Sequence, residues 1–234
     1  MAGSVEHLAV ALELIRMWGT GEAGVEEGPG ITRPERFLLG NICPDGIMSR
    51  KGYKRPMKMH THFRDGILDS EFSLPENLTL FHQRIHRFVQ KNMADKSLER
   101  DLYLGYLTHI LTDEFFMLTV RPEFMEKIAV LGLTQRDEET FSYFTYDVNQ
   151  IDFRLAREYP GMEWVRRCLR DAKPYEIRDM VSETELTDSR EWVLHFFFDG
   201  APEAQTPVYY TYERALQFIR ESVVFIEREI REYI

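Results

Sequence analysis

Cysteine is scarce in this chain of 234 residues: only Cys43 and Cys168 occur. That excludes a disulfide framework and a thiolate zinc site, and in a reducing compartment both are read as free thiols. Any metal must therefore be held by nitrogen and oxygen. Long apolar runs are also missing. No stretch approaches the roughly 18 residues that cross a bilayer as a helix, so no transmembrane segment is expected. The start, MAGSVEHLAVALELIRMW, lacks a cationic leader and carries Glu6 and Glu13 within its apolar stretch. It is read as a helix and not as a secretory signal, and a cytoplasmic protein is expected. Positive charge is in short supply, with 29 Lys and Arg against 39 Asp and Glu and a formal net charge of -10. Stable binding to a nucleic-acid backbone depends on neutralising many phosphates and is not expected. A local basic patch could still hold one phosphate group. There is no internal repeat and no convincing linker, which favours one domain over residues 1–234.

What is present is helical patterning. Val5, Leu8, Ala9, Leu12 and Ile15 fall at helical spacing over 4–17, with Glu6, Glu13 and Arg16 on other faces. The glycine-rich, acidic stretch GTGEAGVEEGPGI that follows predicts a mobile surface loop. A short helix is expected over Pro34–Leu39, then a turn at GNICPDG. No sustained period follows as far as Leu74. From Pro75, the residues Leu78, Phe81, Ile85, Phe88 and Val89 mark an amphipathic helix, and Leu98 to Leu118 a longer, more apolar one. Pro122 interrupts or restarts the pattern, and helices are expected over 122–131, 135–158 and 161–171. WVLHFFF at 192–198 is compatible with a buried strand or a short core helix. After Thr206-Pro207, the positions Ala215, Leu216, Ile219, Val223, Ile226 and Ile230 predict a long C-terminal helix. The fold class expected is all-α, a single-domain multi-helix bundle with a metal site in its core.

Chemistry concentrates in YLGYLTHILTDEFF, where His109 and Asp113 stand four apart within an apolar helix. At about 100 degrees per residue their directions differ by about 40 degrees, so both project from one face as a chelating pair. A core histidine bonded to an aspartate one turn away would have the same spacing. An ionised aspartate is costly to bury unless paired or metal-bound, however, and the flanking leucines and phenylalanines suggest burial. A second cluster comprises Asp45 in the PDG turn and His60 and His62 in KMHTHFRD. In an extended segment HTH would be a two-histidine chelate; alternatively His62 ligates alone and His60 is solvated, which is the preferred reading. Asp45 is equally explained as a turn residue after proline. His7 lies on or near the buried side of the first helix, where a satisfied core histidine is an equal competitor. His82 and His86 share a helix with Gln83, Arg84, Arg87 and Lys91 and are read as solvated.

Taken in order, His7, the PD at 44–45, the TH at 61–62 and GYLTHILTD resemble the zinc-dependent phospholipase C family, whose helical fold is shared with single-strand-specific zinc nucleases. The resemblance covers roughly residues 5–120 and rests on LGNICPDG, KxxTHF and GYLTHxLTD in combination. It implies that Asp45, His62, His109 and Asp113 bind one zinc ion and that His7 contributes to a neighbouring one. The later histidines and HxxxE pair that complete the family's three-zinc cluster are missing, His195 being the only histidine after His109. Further ligands would have to come from Glu114, Asp147 or Asp152. The last two, five apart on an expected helix, diverge by about 140 degrees and do not suit a single ion. One or two ions are expected, zinc first, with manganese, iron or magnesium suited to a carboxylate-rich second site.

A divalent ion so held would activate water for attack on a phosphoester, the substrate being a small-molecule or lipid phosphodiester or phosphomonoester. Asp45 is then a ligand that also orients or deprotonates the water, and Arg55, Lys58 and Arg64 are candidates for holding the phosphate, with surface solvation the competing explanation. Two rivals stand beside this expectation. An HD-type phosphohydrolase needs a His-Asp dipeptide, and the sequence has none. A non-catalytic metal-stabilised scaffold or regulatory binding protein would need only the ligands.

Overall fold

A computed structural model describes residues 1–19, 29–93 and 99–234; the glycine-rich stretch anticipated as a mobile loop lies mostly outside them, as does Leu98. The helices are α1 (Ser4–Trp18), α2 (Pro34–Gly40), α3 (Cys43–Gly46), α4 (Arg55–Thr61), α5 (Pro75–Asn92), α6 (Arg100–Leu118), α7 (Val120–Ala129), α8 (Glu138–Glu158), α9 (Met162–Asp171), α10 (Glu183–Val193) and α11 (Tyr212–Ile230). Among the described residues there is no strand, only an isolated bridge between Ile177 and Val181. The fold is all-α. No helix is long and apolar enough to cross a membrane.

Local chemistry sets most of the helix starts. Proline occupies an early position in α2, α3, α4 and α5, where its missing N–H would have had no intrahelical partner. Ser182 and Glu185 form a reciprocal cap on α10, and Thr211 caps α11. Thr119 breaks the run between α6 and α7, placing Pro122 in the first turn of α7, where the backbone tolerates it. The ambiguous WVLHFFF is helical: it finishes α10 and continues as a π-helical turn, Leu194–Asp199.

α6 is apolar around nearly its whole circumference, because α1, α2, α5, α7 and α11 all pack on it. Its closest neighbour is α2. A Cβ on Gly40 would lie 2.0 Å from the carbonyl oxygen of Leu102, and one on Gly105 would lie 2.0 Å from that of Phe37. Glycine at both positions therefore lets the two backbones touch. The contact fixes the chain after α2, including Asn41 and α3, against the turn of α6 that carries His109.

Candidate metal centre

Four elements deliver the candidate residues to one buried place. α6 supplies His109 and Asp113, α1 supplies His7, α3 supplies Asp45, and His62 caps the C-terminus of α4. His7, His62, His109 and Asp113 are all at most 4% exposed. The α4 helix, opened by Pro56, replaces the extended geometry in which HTH would chelate as a pair. His60 consequently points away, is half exposed, and pairs with Asp65 at 2.8 Å.

Backbone carbonyls fix both central imidazoles. The Nδ1–H of His109 donates to the carbonyl of Asn41 at 2.7 Å, and the Nδ1–H of His62 donates to that of Lys58 at 2.9 Å. Each ring then presents the lone pair of Nε2 to the interior. The two Nε2 atoms face each other at 3.2 Å. His62 Nε2 also lies 3.2 Å from Asp45 Oδ1 and 3.5 Å from Asp113 Oδ2, and His109 Nε2 lies 3.7 Å from Asp113 Oδ2. These are acceptors confronting acceptors, an arrangement that favours a cation between them. A tetrahedral ion bound at about 2.0–2.2 Å holds its ligand atoms about 3.3–3.6 Å apart, close to the separations within His62, His109 and Asp113 and between His62 and Asp45.

The orphaned atoms lie in the same place. Asp45 Oδ1, Asp113 Oδ2 and both ring nitrogens of His7 are buried without a well-directed hydrogen bond. Lys58 Nζ approaches Asp45 Oδ1 to 2.5 Å, but outside hydrogen-bond directions. His7 stacks on His109 with centroids 3.7 Å apart and planes 6° from parallel, and its Nε2 is 3.2 Å from the other Asp113 oxygen, Oδ1, which also accepts the N–H of Ala2 at 3.1 Å. Two overlapping groups result, His7–His109–Asp113 and Asp45–His62–His109, each with ligand atoms within 4.8 Å of one another. This donor set, imidazole and carboxylate alone, fits a divalent ion.

The electrostatics agree with that geometry. Burial lowers the pKa of His62, and burial together with His7 lowers that of His109, so both rings stay neutral and able to ligate. Burial alone would raise Asp45 and Asp113. The Lys58 ammonium outweighs it at Asp45 and the neighbouring His7 outweighs it at Asp113, so both carboxyls stay ionised.

Other candidates lie elsewhere. Asp147 accepts the backbone N–H groups of Val208, Tyr209 and Tyr210 at 2.7, 2.7 and 2.8 Å, and Asp152 accepts the N–H of Glu6 at 3.0 Å, capping α1 from α8. Among the described residues neither joins a metal-competent group. Glu114 is buried and pairs with His82 Nε2 at 2.9 Å. His82, expected to be solvated, instead turns toward α6 and is held between Glu114 and the hydroxyl of Tyr233. Of the three cations proposed for phosphate, only Lys58 pairs with a residue of the cluster. Arg55 and Arg64 both pair with Asp69, at 2.6 and 2.5 Å, and Arg64 is buried.

On the α10 side the cluster borders a crevice lined by His7, Asp45, His109, Ser189, Trp192 and Val193, with about 10 Å³ of free volume. That is room for about one water. Sequence reasoning missed this cover, because 173–206 carries no clear period. It also missed Asn41, whose contribution is a backbone carbonyl that side-chain type does not reveal.

The class so defined is an all-α protein with a buried His/Asp cluster able to hold a metal ion. No known protein family, curated protein or solved structure matches the chain.

Proposed function

We propose that the cluster binds a divalent ion, zinc by preference, through Asp45, His62, His109 and Asp113, and that the protein is a metal-dependent phosphoric ester hydrolase. The observation that carries this reading is the convergence of His109 Nε2, Asp45 Oδ1 and Asp113 Oδ2 on His62 Nε2 at 3.2, 3.2 and 3.5 Å, with the inward oxygens of both aspartates left without a well-directed hydrogen bond. The resemblance of residues 5–120 to the zinc-dependent phospholipase C family supplies the reaction class. When bound, the ion supplies a Lewis acid that lowers the pKa of water toward neutrality and polarises a phosphoryl oxygen.

The chain's own residues do the rest. Asn41 and the Lys58 carbonyl lock the histidine tautomers. Asp45, lining the crevice, would serve as a ligand and orient the water by accepting a hydrogen bond from it. Lys58, beside Asp45, holds the phosphate charge. His7, next to the second oxygen of Asp113, extends the donor set toward a second ion.

The test is elemental analysis of folded wild type, His109→Ala and Asp113→Ala, with a screen of metal-loaded protein against phosphodiesters and phosphomonoesters before and after chelation. Stoichiometric metal lost in both variants, with chelation-sensitive turnover, is expected. Equal metal content in all three proteins would overturn the proposal.

One observation favours a second reading, a metal-stabilised scaffold: the crevice holds only about one water beneath α10, and closed sites are the structural ones. Metal that raises the melting temperature without any turnover would select it.

A further inference from the structure

Separate from the cluster is a groove of about 950 Å³, within the range of small-molecule sites. α4 stands between it and the metal centre: Lys58 and His62 face the cluster, whereas Arg55 and Met59 line the groove. The opposite wall comes from the start of α7, with Arg121, and from the loop and first turn of α8, with Arg136 and Phe141.

Charge on the α4 side is unbalanced. Arg55 and Arg64 both spend their guanidiniums on the single carboxylate of Asp69. Arg121, half-buried beside them, has no carboxylate within ion-pairing distance among the described residues; its guanidinium carbon lies 5.4 Å from the centre of the Phe144 ring. Withdrawal from water lowers its pKa, Asp69 opposes this, and the neighbouring Arg55 and Arg64 add to the lowering. A guanidinium partly removed from water, near two others that share one carboxylate, is stabilised by a further anion.

The rest of the lining is mixed: Asp65, Asp137 and Glu138 are acidic, with Asp65 paired to His60 and Asp137 accepting from Thr134, and Ile67, Leu68 and Phe141 are apolar. Leu68 is 60% exposed and Phe141 66% exposed, both at the groove. Two large apolar side chains left in water in the same groove as a cation with no ion pair of its own among the described residues describe an amphiphilic ligand, not a bare inorganic anion.

We infer that this groove binds a small organic anion, a sulfonate, phosphate monoester or carboxylate carried on an aromatic or apolar body, with Arg121 taking the anionic group and Phe141 and Leu68 the body. The inference stands whether or not the buried cluster holds a metal.

Calorimetric titration of the full chain with naphthalene-2-sulfonate tests it, with inorganic sulfate and 2-naphthalenemethanol separating the charged and apolar halves. The sulfonate is expected to bind at least tenfold more tightly than either, with the same affinity before and after chelation. Arg121→Met, which keeps an apolar stem, should weaken it at least tenfold, and Phe141→Ala about threefold or more. Should Arg121→Met fail to fold by circular dichroism, the exposed substitutions Phe141→Ala and Arg136→Gln decide in its place. Unchanged affinity in the folded variants, equal binding of the neutral alcohol, or loss of binding on chelation would overturn the inference.

Discussion

Asp113 and Asp147 are both ionisable aspartates buried in helices of the same fold, and their surroundings could hardly differ more. Asp147 is surrounded by donors, three consecutive amides of residues 208–210. Asp113 has one amide donor, from Ala2, and otherwise faces imidazole nitrogens, with Oδ2 lacking a hydrogen bond. A buried carboxylate surrounded by donors is a structural fastener; one surrounded by lone pairs lacks a cation. Burial alone does not separate the two cases. The identity of what arrives opposite the carboxylate does.

The sharpest way to break this contrast is to remove each carboxylate in turn. Asp113→Ala should weaken metal binding by about 10³-fold in competition with a chelator. Asp147→Ala should leave metal affinity within about threefold and lower unfolding free energy in urea by about 3–5 kcal/mol, because three amides lose their acceptor. An Asp147→Ala protein that loses its metal at full stability would reverse the assignment.

Gly105→Ala tests what positions the centre. Its methyl would meet the Phe37 carbonyl oxygen at 2.0 Å, so α2 must back away, at an expected cost of about 3 kcal/mol. Because Asn41 moves with α2, metal affinity should fall as well, although no ligand has been touched.

Asp69 supplies an intermediate case, a carboxylate held by guanidiniums. Burial raises its pKa, but Arg64 and Arg55 outweigh that and the net shift is downward. A folded-state pKa below the unfolded one contributes stability that is fully present above the unfolded value of about 3.9 and is lost as pH falls through the folded value. Asp69→Asn should therefore cost about 1 kcal/mol at pH 7, Arg55 being well exposed, and progressively less at acid pH, as read from urea melts across that range.

The smallest effect is expected at His60. His60→Ala should change stability by no more than about 0.5 kcal/mol, since its pair with Asp65 is half exposed. Metal content should be unchanged. Loss of metal in this variant would return the HTH pair to consideration as a chelate.

Much of the architecture was legible because it is written locally. Apolar spacing marked α1, α5, α6 and α11, and the four-residue interval put His109 and Asp113 on one face of α6. The partners of polar side chains were less legible. Asp147 and Asp152 looked like spare ligands, but the loop before α11 and the start of α1 supply amides that occupy them. His82 looked solvated on a basic helix, but Glu114 lies opposite it across the α5–α6 contact. Arg55 and Arg64 stood near the histidine motif in sequence, and α4 carries Arg55 to the groove while Asp69 holds both.

By itself the sequence determined the helical class, the nitrogen and oxygen chemistry left to any metal, and the register of the chelating pair, since all three follow from residue type and helical period. Only the tertiary structure decided which buried carboxylate meets donors and which meets lone pairs. The amides on Asp147 come from 61–63 residues away and His7 reaches Asp113 across 106 positions. No local period encodes contacts of that range; they exist only once α1, α2 and α11 have packed on α6.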